Sequence, residues 1–392
     1  MMQGRDFIVI SDDWGRHPFS CQHIMSHFMP HNRVLWVNTI GLRLPRLSLY
    51  DAGRALGKLR SWARPSSPPD MPEGLKIISP VMLPLGPWKP VRAFNSHSVV
   101  RDVRRAAASW GLRDPILLAT LPNAADYVGR LGESLVVYYC VDEFTVWPGM
   151  NLPHMVRHME NALMQRADLV VAVSDALQRD KGNGRTPTRL LTHGVDVAHF
   201  RAAAAPQPRP EALRDISGPV IGFYGLIDAH MDVEMVAALL DARPDWTVLL
   251  IGTRRIPLDV LERRPNFRWL PAVPYAELPQ YAAHFDVAII PYRVNEHTCT
   301  ANPLKLREYL ATGKPVVTAP MPEVFRFAGH IRIAGTPEDF VAATVAALDD
   351  RPVPEVRLAG LAGESWHDKA ASLSLWMEEV LQSAGKPHGG MA

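Results

Sequence analysis

Short apolar runs alternate with polar loops and helix-like segments along most of the chain. Runs of strand length, such as Leu135–Cys140 and Val316–Thr318, are apolar at nearly every position, as expected of strands buried on both faces of a parallel sheet. Segments with helical periodicity lie between these runs. The alternation predicts an α/β protein, and 392 residues are enough for two domains of ordinary size.

Composition narrows the function classes without selecting one. A net charge of +2 gives no reason to expect nucleic acid as a partner. The three cysteines, Cys21, Cys140 and Cys299, are widely separated, so neither a disulfide framework nor a zinc site is indicated. No run of eighteen apolar residues occurs, and the first residues enter a strand-like segment without a signal-peptide pattern. A cytoplasmic location is expected, with the inner face of the membrane as an alternative.

The most informative stretch is residues 300–318, TANPLKLREYLATGKPVVT. Asn302 is expected as the N-cap and Pro303 as the first helical position of a helix over Leu304–Ala311. Gly313 is expected to end it, and the apolar run that follows is the next strand. The stretch therefore predicts a two-turn helix followed by a buried parallel strand.

The two faces of this helix differ in chemistry. Leu306, Tyr309 and Leu310 share the side expected to pack on the core, whereas Lys305 and Glu308, three residues apart, share the other. A helix N-terminus with a cation one turn in suits a phosphate, and a carboxylate one turn further suits a ribose diol. The helix therefore suggests a nucleoside diphosphate site; an ordinary amphipathic helix with an ion pair is the alternative.

The pattern P-x-K-x-x-E-Y-x-A-x-G-x-P-V-V in this stretch resembles the donor-site motif of GT-B glycosyltransferases of the family 4 and family 1 type. The resemblance implies an α/β GT-B fold of two Rossmann-like domains facing across a cleft. It also implies that Glu308 binds the ribose of a nucleotide-sugar and that the helix start holds the pyrophosphate. A second glutamate often stands eight residues earlier in the family; here that residue is Thr300, and Glu296 is a candidate substitute.

A second resemblance marks the domain boundary. Residues 194–200 are similar to the family's G-V-D-x-x-x-F motif, with His193 in place of the usual Asn. The implied division is an acceptor-binding domain over 1–195, a linker over 196–217, a nucleotide-sugar domain over 218–364, and a C-terminal helix and tail over 365–392 that return to the first domain.

The donor site implied by the resemblance departs from the family at one loop. Relatives carry an Arg and a Lys after the glycine that matches Gly225, but this chain has Asp228 and His230 there. The candidates to neutralise the diphosphate are therefore Arg254, Arg255, Lys305 and His230. The segment around Val273 is similar to the one whose backbone contacts the base. The expected donor residues are Gly225, Asp228, His230, Arg254, Val273, Tyr275, Thr300, Asn302, Pro303, Leu304, Lys305 and Glu308.

Candidate residues in the first half follow strand-like runs. Asp142 and Glu143 come directly after a buried strand and are expected, with Lys305, to be catalytic. Loop carboxylates without a catalytic role are the alternative. The expected acceptor residues are Asp13, Trp14 and His17. The segment 43–64 mixes basic and apolar residues, which suits an anionic membrane surface or, equally, a solvated helix.

The function expected from the resemblance is hexosyl transfer from a nucleotide-diphosphate sugar to an acceptor hydroxyl, retaining, in surface polysaccharide or glycolipid assembly. No further cofactor is expected, and no D-x-D triplet suggests a metal. The expected partners are the nucleotide-sugar and a glycan or lipid-linked acceptor. The alternatives are a nucleotide-sugar 2-epimerase on the same fold and a non-catalytic partner protein.

Overall fold

The computed structural model describes residues 1–15, 19–39, 71–83, 88–350 and 354–384. His17 and the segment 43–64 lie outside the described residues. The chain divides into two compact units, one of residues 1–192 together with those from Lys369 onward, and the other of His193–Asp368. Among the described residues no helix is long and apolar enough to span a membrane.

The first unit is built on a seven-stranded parallel sheet of order β3-β2-β1-β4-β5-β6-β7. The strands are β1 (Asp6–Ser11), β2 (Arg33–Asn38), β3 (Leu75–Ile78), β4 (Ile116–Ala119), β5 (Leu135–Cys140), β6 (Leu169–Ala172) and β7 (Thr188–Leu190). The helices are α1 (Ser20–Phe28), α2 (Lys89–Trp110), α3 (Pro153–Met164) and α4 (Asp175–Lys181).

The second unit is built on a six-stranded parallel sheet of order β10-β9-β8-β11-β12-β13. The strands are β8 (Val220–Tyr224), β9 (Thr247–Ile251), β10 (Phe267–Leu270), β11 (Val287–Ile290), β12 (Val316–Thr318) and β13 (Arg332–Ile333). The helices are α5 (Val197–Arg201), α6 (Val233–Ala242), α7 (Asp259–Glu262), α8 (Leu278–Ala282), α9 (Glu296–Thr300), α10 (Leu304–Ala311), α11 (Pro337–Asp349), α12 (Pro354–Ala359) and the start of α13 (Trp366–Ala384).

Both faces of the second sheet are covered by apolar packing. Along β8, Val220 and Tyr224 belong to one buried cluster, whereas Ile221 and Phe223 belong to another on the opposite face. Strands buried on both sides are apolar at successive positions. For this reason the strands of this sheet do not show an alternation of apolar and polar residues in the sequence. The expectation of parallel sheets with two-sided burial is confirmed.

The order of the second sheet reverses between β8 and β11, which are neighbours although two strands lie between them in sequence. Loops that follow two such strands diverge to opposite faces, and the carboxyl ends of the strands open there into a crevice. The loop after β8 and the segment between β11 and α10 meet at this end of the sheet. The topology therefore places the candidate donor residues of these two segments at one end of the sheet.

One element that the sequence predicts between β4 and β5 is wrong. The sequence predicts a helical crossover over residues 123–132, but the structure has only a 3-10 helix over Pro122–Asp126. Gly129 and Gly132 both have φ near +80° (+80° and +78°), a left-handed conformation that a right-handed helix excludes. The segment therefore turns twice and does not continue as a helix.

Candidate functional site

Helix α10 has the bounds that the sequence predicts, but it begins differently. Its N-cap is Pro303, so the expectation that Asn302 caps the helix is wrong. The Asn302 side chain is engaged elsewhere: its carbonyl accepts a hydrogen bond from Arg307 at 2.6 Å, and its amide donates to Glu323 at 3.1 Å. These buried contacts hold the chain in place just before the first turn of the helix.

Tyr309 fixes the helix to strand β8. The Tyr224 amide donates to the Tyr309 hydroxyl at 2.9 Å, and the two rings meet edge to face with centroids 4.7 Å apart. Leu306 and Leu310, on the same side, are fully buried. The core-facing side of the helix is therefore the predicted one, and the opposite side presents Lys305 and Glu308 at the end of β8.

Lys305 crosses directly over Gly225, the residue that follows β8. Gly225 has a φ of +135°, and a Cβ added there would clash with the lysine side chain and lie 2.8 Å from its Nζ. A Cβ at Gly252, after β9, would clash with the Gly225 carbonyl. Only glycine satisfies both the backbone conformation and the close approach at these two positions. The end of β8 is therefore a surface of bare main chain beneath an ammonium group.

The Lys305 ammonium is held by aromatic neighbours. It donates a hydrogen bond to the Tyr292 hydroxyl at 2.9 Å and lies 5.5 Å from the ring centroids of both Phe223 and Tyr292. Burial disfavours its charged form, but Tyr292, Glu308 and Asp228 outweigh burial and raise the pKa of Lys305. The ammonium is therefore charged at neutral pH and fixed in position.

Glu308 is a perturbed carboxyl group. Burial raises the pKa of Glu308 to about 7, although the charge of Lys305 and the Tyr224 hydroxyl act in the opposite direction. Burial also raises the pKa of Tyr224 and of Tyr275, and the Glu308 carboxylate contributes to both shifts. Glu308 therefore lies among two tyrosines and a lysine. Ionisation of its carboxyl group is unfavourable there unless a ligand supplies hydrogen-bond donors.

The loop after β8 is tied to the segment after β11. The Asp228 carboxylate accepts from the His230 amide at 3.0 Å, which closes a tight turn. The His230 ring stacks on that of His297 with centroids 4.4 Å apart, and the Arg293 amide donates to the His230 carbonyl at 2.8 Å. Asp228 and His230 thus belong to a braced loop, from which the Asp228 carboxylate acts on Lys305.

Two other predicted donor residues, Thr300 and Arg254, have local partners. Thr300 donates through its hydroxyl to the His297 carbonyl at 2.8 Å. Arg254 forms an ion pair with Glu262 at 2.7 Å and lies over the Trp269 ring at 4.6 Å, so Lys305 is better placed as the cation of this site. Glu296, considered as a substitute for the family's second glutamate, is the exposed first residue of α9.

Tyr275, in the segment expected near the base, is braced by α5. Its ring stacks on that of His199 with centroids 4.7 Å apart, and the His199 Nε2 lies 3.1 Å from the Tyr275 carbonyl. Phe200 meets Tyr275 edge to face at 5.6 Å and stacks on Tyr224 at 6.2 Å. Val273 packs partly buried at the edge of this cluster. The boundary motif therefore supports the segment around Tyr275.

In the first unit, Asp142 and Glu143 follow β5 as expected and have distinct roles. Asp142 accepts hydrogen bonds from the Glu143 amide at 2.9 Å and from the Trp147 indole at 2.5 Å. Glu143 pairs with the buried Lys181 at 2.6 Å, and Lys181 also pairs with Glu160 at 2.9 Å. Burial opposes ionisation of Glu143, but Lys181 and Thr145 lower its pKa overall. Glu143 therefore anchors the loop, while Asp142 remains half-buried.

The predicted acceptor loop after β1 is held by β2. The Trp14 amide donates to Asn38 at 3.0 Å, and the Trp14 ring meets Trp36 edge to face at 4.9 Å. The Asp13 carbonyl accepts from the Gln22 amide group at 3.4 Å. Asp13 and Trp14 are therefore placed beside the carboxyl end of β1; His17 lies outside the described residues.

Sequence reasoning missed three residues that position the others, namely Arg307, Lys181 and His199. Arg307 is fully buried, pairs with Glu364 and lies over the Phe327 ring at 5.0 Å. Its helical neighbours three and four positions on are both apolar, which is the pattern that indicates a core-facing position. Glu364 and Phe327 lie far from Arg307 in sequence, so no local pattern identifies these two contacts.

No group of three or more His, Cys, Asp or Glu side chains is arranged to hold a metal ion in the parts of the chain that the structure describes. The geometry of the second unit instead offers a helix start, an ammonium group, bare main chain and a carboxyl group. This arrangement can bind a polyanion that carries a diol.

Solved structures of similar architecture identify the fold. The chain matches the sucrose-phosphate synthase of Thermosynechococcus elongatus with a TM-score of 0.69 at 14% identity, over 97% of this chain and 100% of that one. It matches the trehalose 6-phosphate synthase of Burkholderia multivorans with a TM-score of 0.65 at 13% identity, over 100% of both chains. It matches Anabaena HepE in complex with UDP and glucose with a TM-score of 0.62 at 16% identity, over 97% and 100%. The chain has the GT-B fold of two Rossmann-like domains.

Residues 218–350 match the family model described as Glycosyl transferases group 1, which agrees with the resemblance found in the sequence. The chain is 31% identical over 206 residues to the putative teichuronic acid biosynthesis glycosyltransferase TuaH of Bacillus subtilis (strain 168), covering 50% of this chain and 52% of that protein. It is 26% identical over 211 residues to the lipopolysaccharide core biosynthesis mannosyltransferase LpsB of Rhizobium meliloti (strain 1021), covering 48% and 58%. The chain thus spans about half the length of these curated relatives.

Proposed function

We propose that the protein is a glycosyltransferase that moves a sugar from a nucleotide-diphosphate sugar to an acceptor hydroxyl. The observation that carries the proposal is the placement of Lys305 over the bare backbone of Gly225, with Glu308 one turn further along α10. The cation and the exposed main chain suit the diphosphate of such a donor, and the carboxylate further along the helix suits the ribose diol that follows the diphosphate.

The diphosphate is assigned to the start of α10. Backbone N–H groups in the first turn of a helix lack intrahelical partners and favour negative charge. The Lys305 ammonium attracts the diphosphate, and this attraction strengthens as the bond to the sugar breaks and negative charge develops on the leaving group. Because Gly225 and Gly252 carry no side chains, the Lys305 ammonium can lie directly on the main chain at the ends of β8 and β9, where the phosphates are assigned.

The ribose is assigned to Glu308 and the base to the segment that contains Val273 and Tyr275. A carboxylate accepts two hydroxyl hydrogen bonds, and such bonds favour its charged form. Three solved structures of Anabaena HepE, which the chain resembles in fold, are complexes with UDP and glucose, with UDP and with UDP-glucose. UDP is therefore the first nucleotide to test.

Asp142 is assigned to the sugar and acceptor in the first domain. In a retaining transfer no strong general base is required, and its carboxylate orients a hydroxyl; in an inverting transfer it takes the proton. We assign retention on the resemblance to family 4. The relatives named for teichuronic acid and lipopolysaccharide core biosynthesis support a surface glycan as the acceptor.

The donor assignment is tested by isothermal calorimetry with UDP, GDP, ADP and their common sugar derivatives. One nucleoside diphosphate is expected to bind, and Glu308→Ala is expected to weaken it by about 2 to 3 kcal/mol because a doubly bonded carboxylate is lost. Glu338→Ala, at an exposed position on α11, is the control. Failure of the wild-type protein to bind any of these ligands would remove the proposal.

The catalytic assignment is tested by release of the nucleoside diphosphate from the donor that binds. Asp142→Asn is expected to lower turnover far more than donor affinity, since Asp142 lies in the other domain. Equal turnover of the variant and the wild type would exclude a catalytic role for this carboxylate.

A further inference from the structure

An exposed indole ring lies beside Asp142 in the first domain. The Trp147 side chain is 37% exposed, although its indole N–H donates to the Asp142 carboxylate at 2.5 Å. The buried ring of Phe144 supports it, with centroids 5.1 Å apart and planes tilted by 57°. A large aromatic surface is therefore held at a fixed angle next to a carboxylate and is left open to solvent.

A buried ion network holds this loop rigidly on the sheet. Lys181 on α4 pairs with Glu143 of the loop and with Glu160 on α3. Glu160 in turn accepts from the Tyr138 hydroxyl of β5 at 2.6 Å. Removing one member of such a network leaves a buried charge without compensation, so the loop is strongly fixed. An exposed ring on a rigid loop loses little conformational entropy when a ligand stacks on it.

Phe144 adds an apolar anchor to the same loop. It packs with Leu121 and Val156, both buried, beneath the segment that carries Asp142 and Trp147. The loop is therefore fastened on two sides, by the ion network and by this cluster. Neither anchor covers the outer face of the indole ring.

We propose that Trp147 and Asp142 form a sugar-binding subsite, in which the apolar face of a pyranose ring stacks on the indole while its hydroxyls donate to the carboxylate. Sugars present both C–H faces and hydroxyl edges, so they match an aromatic surface with a hydrogen-bond acceptor at its rim. The inference rests on the proposed function in one respect, namely that the bound sugar is taken as part of the acceptor.

The subsite is tested by saturation-transfer NMR with the methyl glycosides of glucose, galactose, mannose and N-acetylglucosamine, without nucleotide. At least one glycoside is expected to bind the wild-type protein. Trp147→Ala is expected to weaken it roughly five- to tenfold through loss of aromatic stacking. Trp147→Phe keeps an aromatic face and is expected to retain part of the affinity. Trp88→Ala, at a 66% exposed tryptophan on α2's N-terminal side, is the matched control.

Two results would overturn the subsite: no binding of any of the four glycosides by the wild type, or equal binding by Trp147→Ala. UDP calorimetry on the same proteins separates the two proposals. If the wild type binds UDP or another nucleoside diphosphate while Trp147→Ala binds glycosides normally, only the subsite is wrong. If the wild type binds no nucleotide, the donor assignment is wrong, whatever the glycosides do. Melting temperatures of the variants show whether each has folded.

Discussion

The raised pKa of Glu308 predicts that nucleotide affinity depends on pH in a defined direction. A carboxyl group with a pKa of about 7 is about one tenth ionised at pH 6 and about nine tenths ionised at pH 8. Ribose hydroxyls donate hydrogen bonds to the ionised form, so binding first requires the proton to leave. Affinity for the preferred nucleoside diphosphate is therefore expected to rise by up to about tenfold between pH 6 and pH 8.

The variant Glu308→Gln isolates this effect. Glutamine keeps the size of the side chain and an acceptor oxygen but does not titrate. The phosphates of the ligand also titrate near neutral pH, and that contribution is common to both proteins. Calorimetry from pH 5.5 to 8.5 is expected to show a ratio of wild-type to variant affinity that increases with pH. A ratio that stays constant over this range would refute the assignment of Glu308 to the ribose.

The same group predicts the pH dependence of stability without ligand. Its pKa is higher in the folded protein than in the unfolded chain, so the folded state binds more protons between about pH 4.5 and 7. The stability that it contributes is therefore present at low pH and is lost as the pH rises through 7. Glu308→Gln is expected to melt above the wild type at pH 8, by a margin that shrinks toward pH 5. A margin independent of pH would contradict the burial argument.

Three further variants test the rest of the donor site. Lys305→Met is expected to weaken a nucleoside diphosphate roughly 10- to 100-fold in calorimetry, since a charge-assisted contact is lost, while the nucleoside alone changes little. Gly225→Ala is expected to lower the melting temperature by about 5 °C and to abolish nucleotide binding, because the added methyl group clashes with Lys305 at a φ that alanine avoids. His199→Ala is expected to weaken UDP roughly three- to tenfold but to leave inorganic pyrophosphate unchanged, because it removes the stack on Tyr275.

Two of these variants, Gly225→Ala and His199→Ala, have a control in the same chain. Gly329→Ala adds a methyl group where nothing lies within 4 Å, so it should melt like the wild type. His199→Phe keeps a ring against Tyr275 and should recover most of the UDP affinity. Equal losses of UDP and nucleoside in Lys305→Met would show that the lysine does not act on the phosphates. A Gly225→Ala protein that binds UDP normally would exclude close phosphate approach at that residue.

Much of the second domain could be predicted from the sequence because its signals are local. The bounds of α10 follow from a proline before it, a glycine after it and apolar residues at helical spacing. The N-cap assignment failed because Asn302, an ordinary capping residue, has stronger partners in Arg307 and Glu323. Arg307 is only five residues further on, but its contact with Asn302 and that of Glu323 depend on tertiary packing, which the neighbouring sequence does not show.

Prediction from the sequence has the same limit in the first domain. The sequence placed Asp142 and Glu143 together at the end of β5 but could not separate their roles. Lys181 separates them, because its ammonium group engages Glu143 and leaves Asp142 beside Trp147. A lysine placed four residues after the buried Leu177 gave a faint indication that it faces inward. The identity of its partners depends on how α3 and α4 pack on the sheet.

The paired glycines at the ends of β8 and β9 limit how this protein can be engineered. Where two main-chain segments and a lysine already fill the space around Gly225 and Gly252, no ordinary substitution can be used to tune the contact. Changes in donor preference must therefore be introduced at the rim, through residues such as Tyr275 and His199. In a mutagenesis library, Gly225 and Gly252 are expected to tolerate almost no substitution. That intolerance would itself identify the close main-chain contact between them.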